Sequence, residues 1–285
     1  MDRQKVNPLQ KNLKEIGIFG YRGFIGKHLS IFLSSHHVSF NVFEGDALQK
    51  SDIENFFYTT NVREIIFLIG SFELPMDNLL QKNLLTLQSV LDVGVKNGLQ
   101  KIIYVSSGAV YGNPGSEGSF ETDLLLPTSL YGLIKKYCEE CIHYYEENYG
   151  IKGVLLRFPN VYGDGNDKGV VYEFLQRIQN KQEIMINGDG SQGRNFLHVS
   201  DAVHAIYKSL RVDESEVFNV ANDRKITINE LVKILAQYQK FDITYLSSKD
   251  ILYDTLYLNT SKCIKILGLI PHFDVETYIR QKFLS

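Results

Sequence analysis

The chain has 285 residues, of which 44% are hydrophobic and 22% charged, a composition typical of a soluble globular protein. Its formal net charge of -3 provides no electrostatic attraction for nucleic acid or for an anionic membrane surface, so we expect neither as a partner. No apolar run approaches the roughly 18 residues of a membrane span, and the polar N-terminal segment lacks the apolar core of a signal peptide.

Three cysteines without the spacing of a disulfide framework favour a reducing, cytoplasmic location. Two of them, Cys138 and Cys141, form a C-x-x-C motif, but the motif lies inside a helical pattern. No second pair of ligands with suitable spacing accompanies it. We therefore expect no metal site.

Short apolar runs alternate with longer amphipathic runs over the first 160 residues. The patterns predict strands over 15–20, 39–44, 64–70, 101–107 and 153–160, with helices over 24–36, 52–60, 79–98 and 129–149 between them. Because the strand runs are apolar on both faces, they indicate a doubly wound parallel sheet that helices cover on both sides. Ligands of such sheets bind at the carboxyl ends of the strands.

The pattern changes after residue 160, where loops rich in glycine and asparagine separate shorter elements. Thr227 and Glu230 have the spacing of a capping box and predict the start of a helix. We predict an α/β fold with two parts. Residues 1–160 and about 198–221 would form a Rossmann-like dinucleotide-binding domain, and about 161–197 and 222–285 a smaller C-terminal substrate-binding lobe.

A glycine loop, GYRGFIG, follows the first predicted strand and opens a helix, which is the context of a dinucleotide-binding loop. Gly20 allows the tight turn, and Gly23 lets the backbone approach a pyrophosphate. Gly26 lets the helix pack on the strand, while Phe24 and Ile25 begin the helix whose N-terminus faces the anion. The alternative is a tight strand-to-helix turn without a ligand.

Arg22 places a cation in this loop, where it could bind the 2′-phosphate of NADP. Glu44 and Asp46 follow the second predicted strand, and carboxylates there suit the ribose diol of NAD and would repel a phosphate. Arg22 would then pair with Glu44 or lie over the adenine. We expect NAD as the cofactor, with NADP as the alternative.

Tyr131 and Lys135 are four residues apart on a predicted helix and therefore share one face. A tyrosine can transfer protons near neutral pH only if its pKa falls from about 10 by roughly three units, which corresponds to about 4 kcal/mol. One ammonium group about 4 Å away supplies an interaction of that size at an effective dielectric constant near 20. Ser107, at the end of the strand over 101–107, could orient the same substrate oxygen.

With these motifs, the sequence from about residue 15 to 270 resembles the extended short-chain dehydrogenases/reductases of the NAD-dependent epimerase/dehydratase group. The resemblance lies in VSSGAVYG, ETDLLLPTSLYGLIK, LRFPNVYGDGN and GDGSQGRNFLHVSDAV, besides the glycine loop. It implies that Tyr131 is the catalytic acid/base, that Lys135 holds the nicotinamide ribose and that Ser107 completes the triad. It also assigns Asn83 to the cofactor.

Most members of this group act on nucleotide sugars, and the resemblance implies such a substrate here. Asn160 and Arg194 would face its diphosphate, a role that suits an arginine fork. The arginine that often clamps the second phosphate is not evident, and its region offers Lys249. The resemblance further implies a homodimer formed through the helices near 76–98 and 129–149.

Two departures from the group's pattern narrow the predicted reaction. The 4,6-dehydratases carry an Asp-Glu pair after the active-site Ser or Thr, where this chain has Gly108 and Ala109. The epimerase-reductases that invert C3 and C5 use a cysteine near that place, and none is present there. What remains is hydride transfer at one sugar carbon, most simply 4-epimerisation. The alternatives are an NADPH-dependent 4-keto reductase and, more distantly, a dinucleotide-sensing protein without catalysis.

Overall fold

The computed structural model describes residues 15–72, 75–113, 115–247 and 256–284. The strands are β1 (Ile16–Phe19), β2 (Phe40–Val42), β3 (Glu64–Phe67), β4 (Lys101–Ser107), β5 (Lys152–Phe158), β6 (Asn160–Tyr162), β7 (Ile184–Asn187), β8 (Gly193–Arg194), β9 (Phe196–His198), β10 (Glu216–Asn219), β11 (Ile226–Thr227) and β12 (Ile243–Leu246). The helices are α1 (Phe24–Ser35), α2 (Lys50–Thr60), α3 (Met76–Leu79), α4 (Thr86–Lys96), α5 (Leu130–Tyr149), α6 (Val170–Gln179), α7 (Val199–Ser209), α8 (Ile228–Ala236), α9 (Ser261–Leu267) and α10 (Val275–Leu284). Within these segments, none of the helices combines the length and the apolar character needed to cross a membrane.

A six-stranded parallel sheet in the order β10-β5-β4-β3-β1-β2 forms the centre of the fold. Alternate residues of its strands enter different cores. Ile102 and Tyr104 pack with α2, α4 and α5 on one face, whereas Ile103 packs with α1, α7 and α9 on the other. The prediction of a doubly wound parallel sheet is therefore confirmed.

The strand order reverses between β1 and β3, since the chain runs from β1 outward to β2 and then crosses back. Such a reversal opens a crevice at the carboxyl ends of the strands, where ligands bind. Among the described residues, only β2 lies beyond β1 in this sheet, whereas the full dinucleotide-binding order places two strands there. The described part of the sheet thus has one strand fewer on the side of β2.

A third hydrophobic core joins α6, β7, α8 and α10, and it is separate from the two cores on the main sheet. Strand β10, in contrast, returns to the main sheet beside β5. Both observations support the division into two lobes, whose boundaries stay predictions. The predicted capping box is present, because the Thr227 hydroxyl accepts the Glu230 N–H while the Glu230 carboxylate accepts the Thr227 N–H.

Several element boundaries differ from the predicted ones by a few residues, and two of the differences concern predicted site residues. The long helix begins at Met76 and contains a π-helical turn over Leu80–Leu85, in which the buried Asn83 amide donates to the Leu79 carbonyl. The predicted strand over 153–160 ends at Phe158, and Asn160 begins β6. Pro159 separates the two strands because it has no N–H to donate to the sheet.

A buried ion pair joins helix α5 to the strands beneath it. Arg157 Nη2 lies 2.6 Å from Glu139 Oε2, and both side chains are only 5% exposed. The same carboxylate accepts the Ser106 hydroxyl, while Arg157 Nη1 donates to the Tyr111 hydroxyl at 2.6 Å. Tyr111 in turn donates to Asn219 Oδ1 at 2.8 Å. The network therefore fixes α5, β4, β5 and β10 relative to one another.

We expect Glu139→Ala to lower the free energy of unfolding by about 3–5 kcal/mol, because the substitution leaves the Arg157 charge buried without its partner. Urea denaturation followed by circular dichroism measures the change. Glu140→Ala is the matched control, since this neighbouring glutamate is exposed and its loss should change stability by about 0.5 kcal/mol or less. Equal losses in the two variants would contradict the role of the ion pair.

Candidate active site

The carboxyl ends of β1, β3 and β4 lie side by side in the sheet and bring three predicted motifs to one edge. The glycine loop follows β1, the segment tied to Asn83 follows β3, and Ser107 ends β4. Helix α5, which carries Tyr131 and Lys135, packs over β4. The topology thus places these predicted residues at the crevice where the strand order reverses.

The glycine loop has the shape of a phosphate cradle. Gly20 has a φ of +90°, and a Cβ there would lie 2.9 Å from the Ile69 nitrogen. A Cβ on Gly26 would overlap the Gly20 carbonyl oxygen, so α1 can approach β1 only at a glycine. Gly23 caps α1 without a side-chain hydrogen bond from the described residues, and the first turn of α1 contains no acidic residue. A helix N-terminus of this kind suits the pyrophosphate of a dinucleotide.

Arg22 lies in a hydrogen-bonded group at the mouth of the loop. Its Nε donates to the Tyr21 hydroxyl at 2.9 Å, and Tyr21 donates to Glu44 Oε1 at 2.7 Å. Arg22 Nη2 lies 3.9 Å from the same carboxylate oxygen, with both side chains mostly exposed. The predicted pairing of Arg22 with Glu44 is present, and Tyr21 mediates it. Asp46 accepts the Leu48 N–H at 2.9 Å and so shapes the turn that follows β2.

Lys135 has the most constrained environment of the predicted triad. Its Nζ donates to the Tyr104 hydroxyl at 3.0 Å and to the Val105 carbonyl at 3.1 Å, and it lies 5.9 Å from the centre of the Tyr131 ring. Burial lowers the pKa of Lys135. A Cβ on Gly70 would lie 3.5 Å from this nitrogen, so the absence of a side chain there keeps one approach to the ammonium open.

A close contact brings Ser107 and Tyr131 to the same end of the fold. The Ser107 hydroxyl accepts the Ala109 N–H at 3.2 Å and caps a 3-10 turn over Gly108–Val110. The first turn of α5 rests on this turn, because a Cβ on Gly132 would overlap the Ala109 carbonyl oxygen. The glycine after Tyr131 therefore allows the helix to reach the strand end that carries Ser107.

The buried Asn83 amide is occupied by the backbone. Its Nδ2 donates to the carbonyls of Ser71 and Leu79 at 3.1 and 2.9 Å, and its Oδ1 accepts the Ser71 N–H at 3.4 Å. Asn83 therefore holds the segment that follows β3 against the long helix. The contact between Asn83 and the cofactor that the resemblance implies stays a prediction.

The predicted substrate residues lie on short strands of the second part of the chain. Asn160 pairs with Phe196 in β6 and β9, and Arg194 lies two residues earlier, in β8. The buried Asn195 side chain bonds Asn222 and Leu258 and so ties the Arg194 segment to two other parts of the chain. Their roles in binding stay predictions, and Lys249 lies outside the described residues.

Sequence reasoning missed two aromatic residues beside the triad. Tyr104 contacts the ammonium of Lys135, and the ring of Phe72 packs against that of Tyr131 at a tilt of 38°, with ring centres 4.4 Å apart. Phe72 is 62% exposed, which is high for an aromatic side chain. Tyr104 stands three residues before Ser107 in a strand with regular alternation, so its face could be predicted. Its contact with Lys135 also depends on the rotation of α5, which a single sequence does not reveal.

Comparison with known proteins gives consistent results. Residues 16–221 match the model of the NAD dependent epimerase/dehydratase family. A putative UDP-glucose 4-epimerase of Methanocaldococcus jannaschii is 32% identical over 206 residues, which are 70% of this chain and 67% of that protein. A UDP-glucuronate 4-epimerase of Thermodesulfobacterium geofontis is 26% identical over 307 residues, covering 93% of each chain.

The fold has a solved counterpart in the UDP-glucose 4-epimerase of Thermotoga maritima, determined with UDP-glucose. The TM-score is 0.85 at 24% identity, and the alignment covers 95% of this chain and 100% of that one. The family match alone spans more than half of the chain and includes the glycine loop, Ser107, Tyr131 and Lys135. This chain therefore belongs to the NAD dependent epimerase/dehydratase family and is an NAD-dependent enzyme.

Proposed function

We propose that the enzyme interconverts the C4 epimers of a nucleotide-linked sugar. One observation carries the proposal. The buried ammonium of Lys135 lies 5.9 Å from the Tyr131 ring, on an α5 that rests against the Ser107 turn. This arrangement suits proton transfer at a single alcohol or ketone. The C4 position is supported by the names of the relatives, two of which are 4-epimerases.

Each member of the triad has a distinct task in this proposal. Tyr131 takes the proton of the C4 hydroxyl on its phenol oxygen during oxidation and returns a proton during reduction. Lys135 favours the charged form of Tyr131 by its own positive charge and donates to the nicotinamide ribose. Ser107 orients the C4 oxygen by a hydrogen bond. When bound, NAD supplies the acceptor and donor of hydride, and the glycine loop with the α1 N-terminus holds its pyrophosphate.

The turn after Ser107 argues against the 4,6-dehydratase reaction. Gly108 and Ala109 are buried, and a Cβ on Gly108 would lie 2.9 Å from a methyl group of Leu258. A carboxylate at this position would be desolvated among leucine side chains, so no acid is available there to expel a C6 hydroxyl. Gly108 and Ala109 therefore favour hydride transfer at one sugar carbon over a dehydration.

Arg22 supports a second candidate, the NADPH-dependent 4-keto reductase. Its guanidinium is largely exposed at the mouth of the glycine loop, where it could meet a 2′-phosphate. Glu44 opposes this candidate, because its carboxylate shares the same place and favours a ribose diol. The epimerase also needs no supply of reducing equivalents, so we favour it.

The homodimer implied by the resemblance stays a prediction. Among the helices named for it, α5 carries exposed aromatic side chains at Tyr137 and Tyr144.

We expect Tyr131→Phe to retain cofactor binding and to lose turnover by about 10²–10⁴-fold, because the substitution removes only the hydroxyl that moves the proton. NMR of the isomers formed from a panel of nucleotide sugars, with and without added NAD, measures turnover. Tyr137→Phe, on an exposed face of the same helix, is the matched control and should keep normal turnover. Near-normal turnover of the Tyr131 variant would remove Tyr131 from the mechanism.

We expect Arg194→Ala to weaken nucleotide-sugar binding by about 1.5–3 kcal/mol, the range for a lost hydrogen bond to a charged group. Titration calorimetry in the presence of NAD measures the affinity. Arg224→Ala is the control, because Arg224 is exposed and pairs with Glu276. Unchanged affinity in the Arg194 variant would end its assignment to the diphosphate.

The choice between the two cofactors is tested by the affinities of wild type, Arg22→Ala and Glu44→Ala for NAD and NADP. We expect wild type to bind NAD more tightly, and Glu44→Ala to lose that preference because it removes the carboxylate that repels a 2′-phosphate. If wild type prefers NADP and Arg22→Ala abolishes the preference, the reductase becomes the better assignment.

A further inference from the structure

Tyr104 lies directly behind the triad and is 1% exposed. It extends from β4 toward α5, and its hydroxyl lies 3.0 Å from Lys135 Nζ. The same nitrogen lies 4.7 Å from the centre of the Tyr104 ring. The ring alone would fill the core as phenylalanine does, and a buried hydroxyl costs free energy unless it is hydrogen-bonded. The hydroxyl therefore has a specific partner in Lys135.

The Tyr104 hydroxyl keeps its own proton near neutral pH. Burial raises the pKa of Tyr104 well above its usual value and raises the pKa of Cys138, so both groups stay protonated near neutral pH. Cys138, which lies one helical turn beyond Lys135, adds to the rise in the pKa of Tyr104. The phenol therefore keeps its proton while its oxygen accepts a hydrogen bond from the ammonium of Lys135.

Lys135 Nζ has three N–H donors. Within the described part of the chain, the hydroxyl of Tyr104 and the carbonyl of Val105 use two of them. The third is left for a ligand on the open side, beside Gly70. The four-carbon stem of a lysine is flexible and does not by itself fix the position of the ammonium. The oxygens of Tyr104 and Val105 therefore determine where the charge of Lys135 lies.

We propose that Tyr104 is a positioning residue for the reaction, whose phenol oxygen holds the Lys135 ammonium beside Tyr131. The inference rests on the proposed function, because that function gives Lys135 its catalytic task. The other titratable groups that face this nitrogen lie on α5 and are Tyr131, Cys138 and Glu139. The Glu139 carboxylate is bound to Arg157, and the helix after β3 contributes the neutral amide of Asn83 near Gly70. Tyr104 is therefore the side chain that accepts a hydrogen bond from the ammonium.

The test is Tyr104→Phe, which keeps the ring and removes the oxygen. Tyr145→Phe is the matched control, because Tyr145 is buried in the same core and its hydroxyl donates to Asp92 instead. The first measurement is a pH titration of protein labelled with ¹³C at the lysine ε carbon, with the Lys135 signal assigned by Lys135→Arg. We expect the proton dissociation constant of Lys135 to rise about tenfold in Tyr104→Phe, because its charged form loses an acceptor.

The second measurement is the pH profile of turnover. We expect the kcat of Tyr104→Phe to fall about tenfold at neutral pH and the alkaline limb of its profile to move to lower pH. The KM for the sugar should not change, since Tyr104 touches neither substrate nor solvent. Tyr145→Phe should match wild type in both measurements.

Two results would overturn the proposal. One is a Tyr104→Phe enzyme whose Lys135 titration and turnover equal those of wild type. The other is an equal loss of turnover in both Phe variants with the Lys135 titration unchanged, which would assign Tyr104 to packing. Since the titration needs no sugar, absence of turnover with every nucleotide sugar would contradict the proposed function alone, and the titration would still decide the role of Tyr104.

Discussion

The buried ion pair between Glu139 and Arg157 fixes helix α5 against the strands that carry the candidate active site. Desolvating two charges is expensive, and the cost is offset here because the carboxylate and the guanidinium also bond Ser106 and Tyr111. Glu139 lies on α5, Arg157 on β5, and Ser106 on strand β4, which ends at Ser107. A shift of α5 would have to break the whole network, so the distance between the helix and the strand end is tightly constrained.

Lys135 lies one helical turn before Glu139 and shares this constraint. Its burial lowers its pKa, while the oxygens of Tyr104 and Val105 accept hydrogen bonds from its Nζ and favour the charged form. An ammonium in such surroundings acts strongly on a neighbouring phenol, because little solvent screens the interaction. The same burial that makes Lys135 costly for stability would make it useful for the proton transfer that we propose at Tyr131.

Glycines, which have no side chain, are as important to this site as the charged residues. Gly20 and Gly26 let β1 and α1 meet, and Gly132 lets α5 rest on the turn after Ser107. At each of these positions a Cβ would crowd or overlap backbone atoms, which cannot move aside as a side chain can. The glycines therefore set the distances over which a dinucleotide and a sugar could be held between the strand ends and α5.

The sequence by itself determined the sheet, the glycine loop and the common helix face of Tyr131 and Lys135, because these depend on local periodicity and on spacings within one element. Tyr131 and Lys135 share a face of α5 however that helix is packed in the fold. The capping box at Thr227 involves only residues that are close together in the chain. The position of β2 at the edge of the described sheet, the π-helical turn at Asn83 and the contact between Tyr104 and Lys135 were decided only by the tertiary structure. Each depends on the position or rotation of one element against another, and packing and buried hydrogen bonds settle that arrangement only when the whole chain has folded.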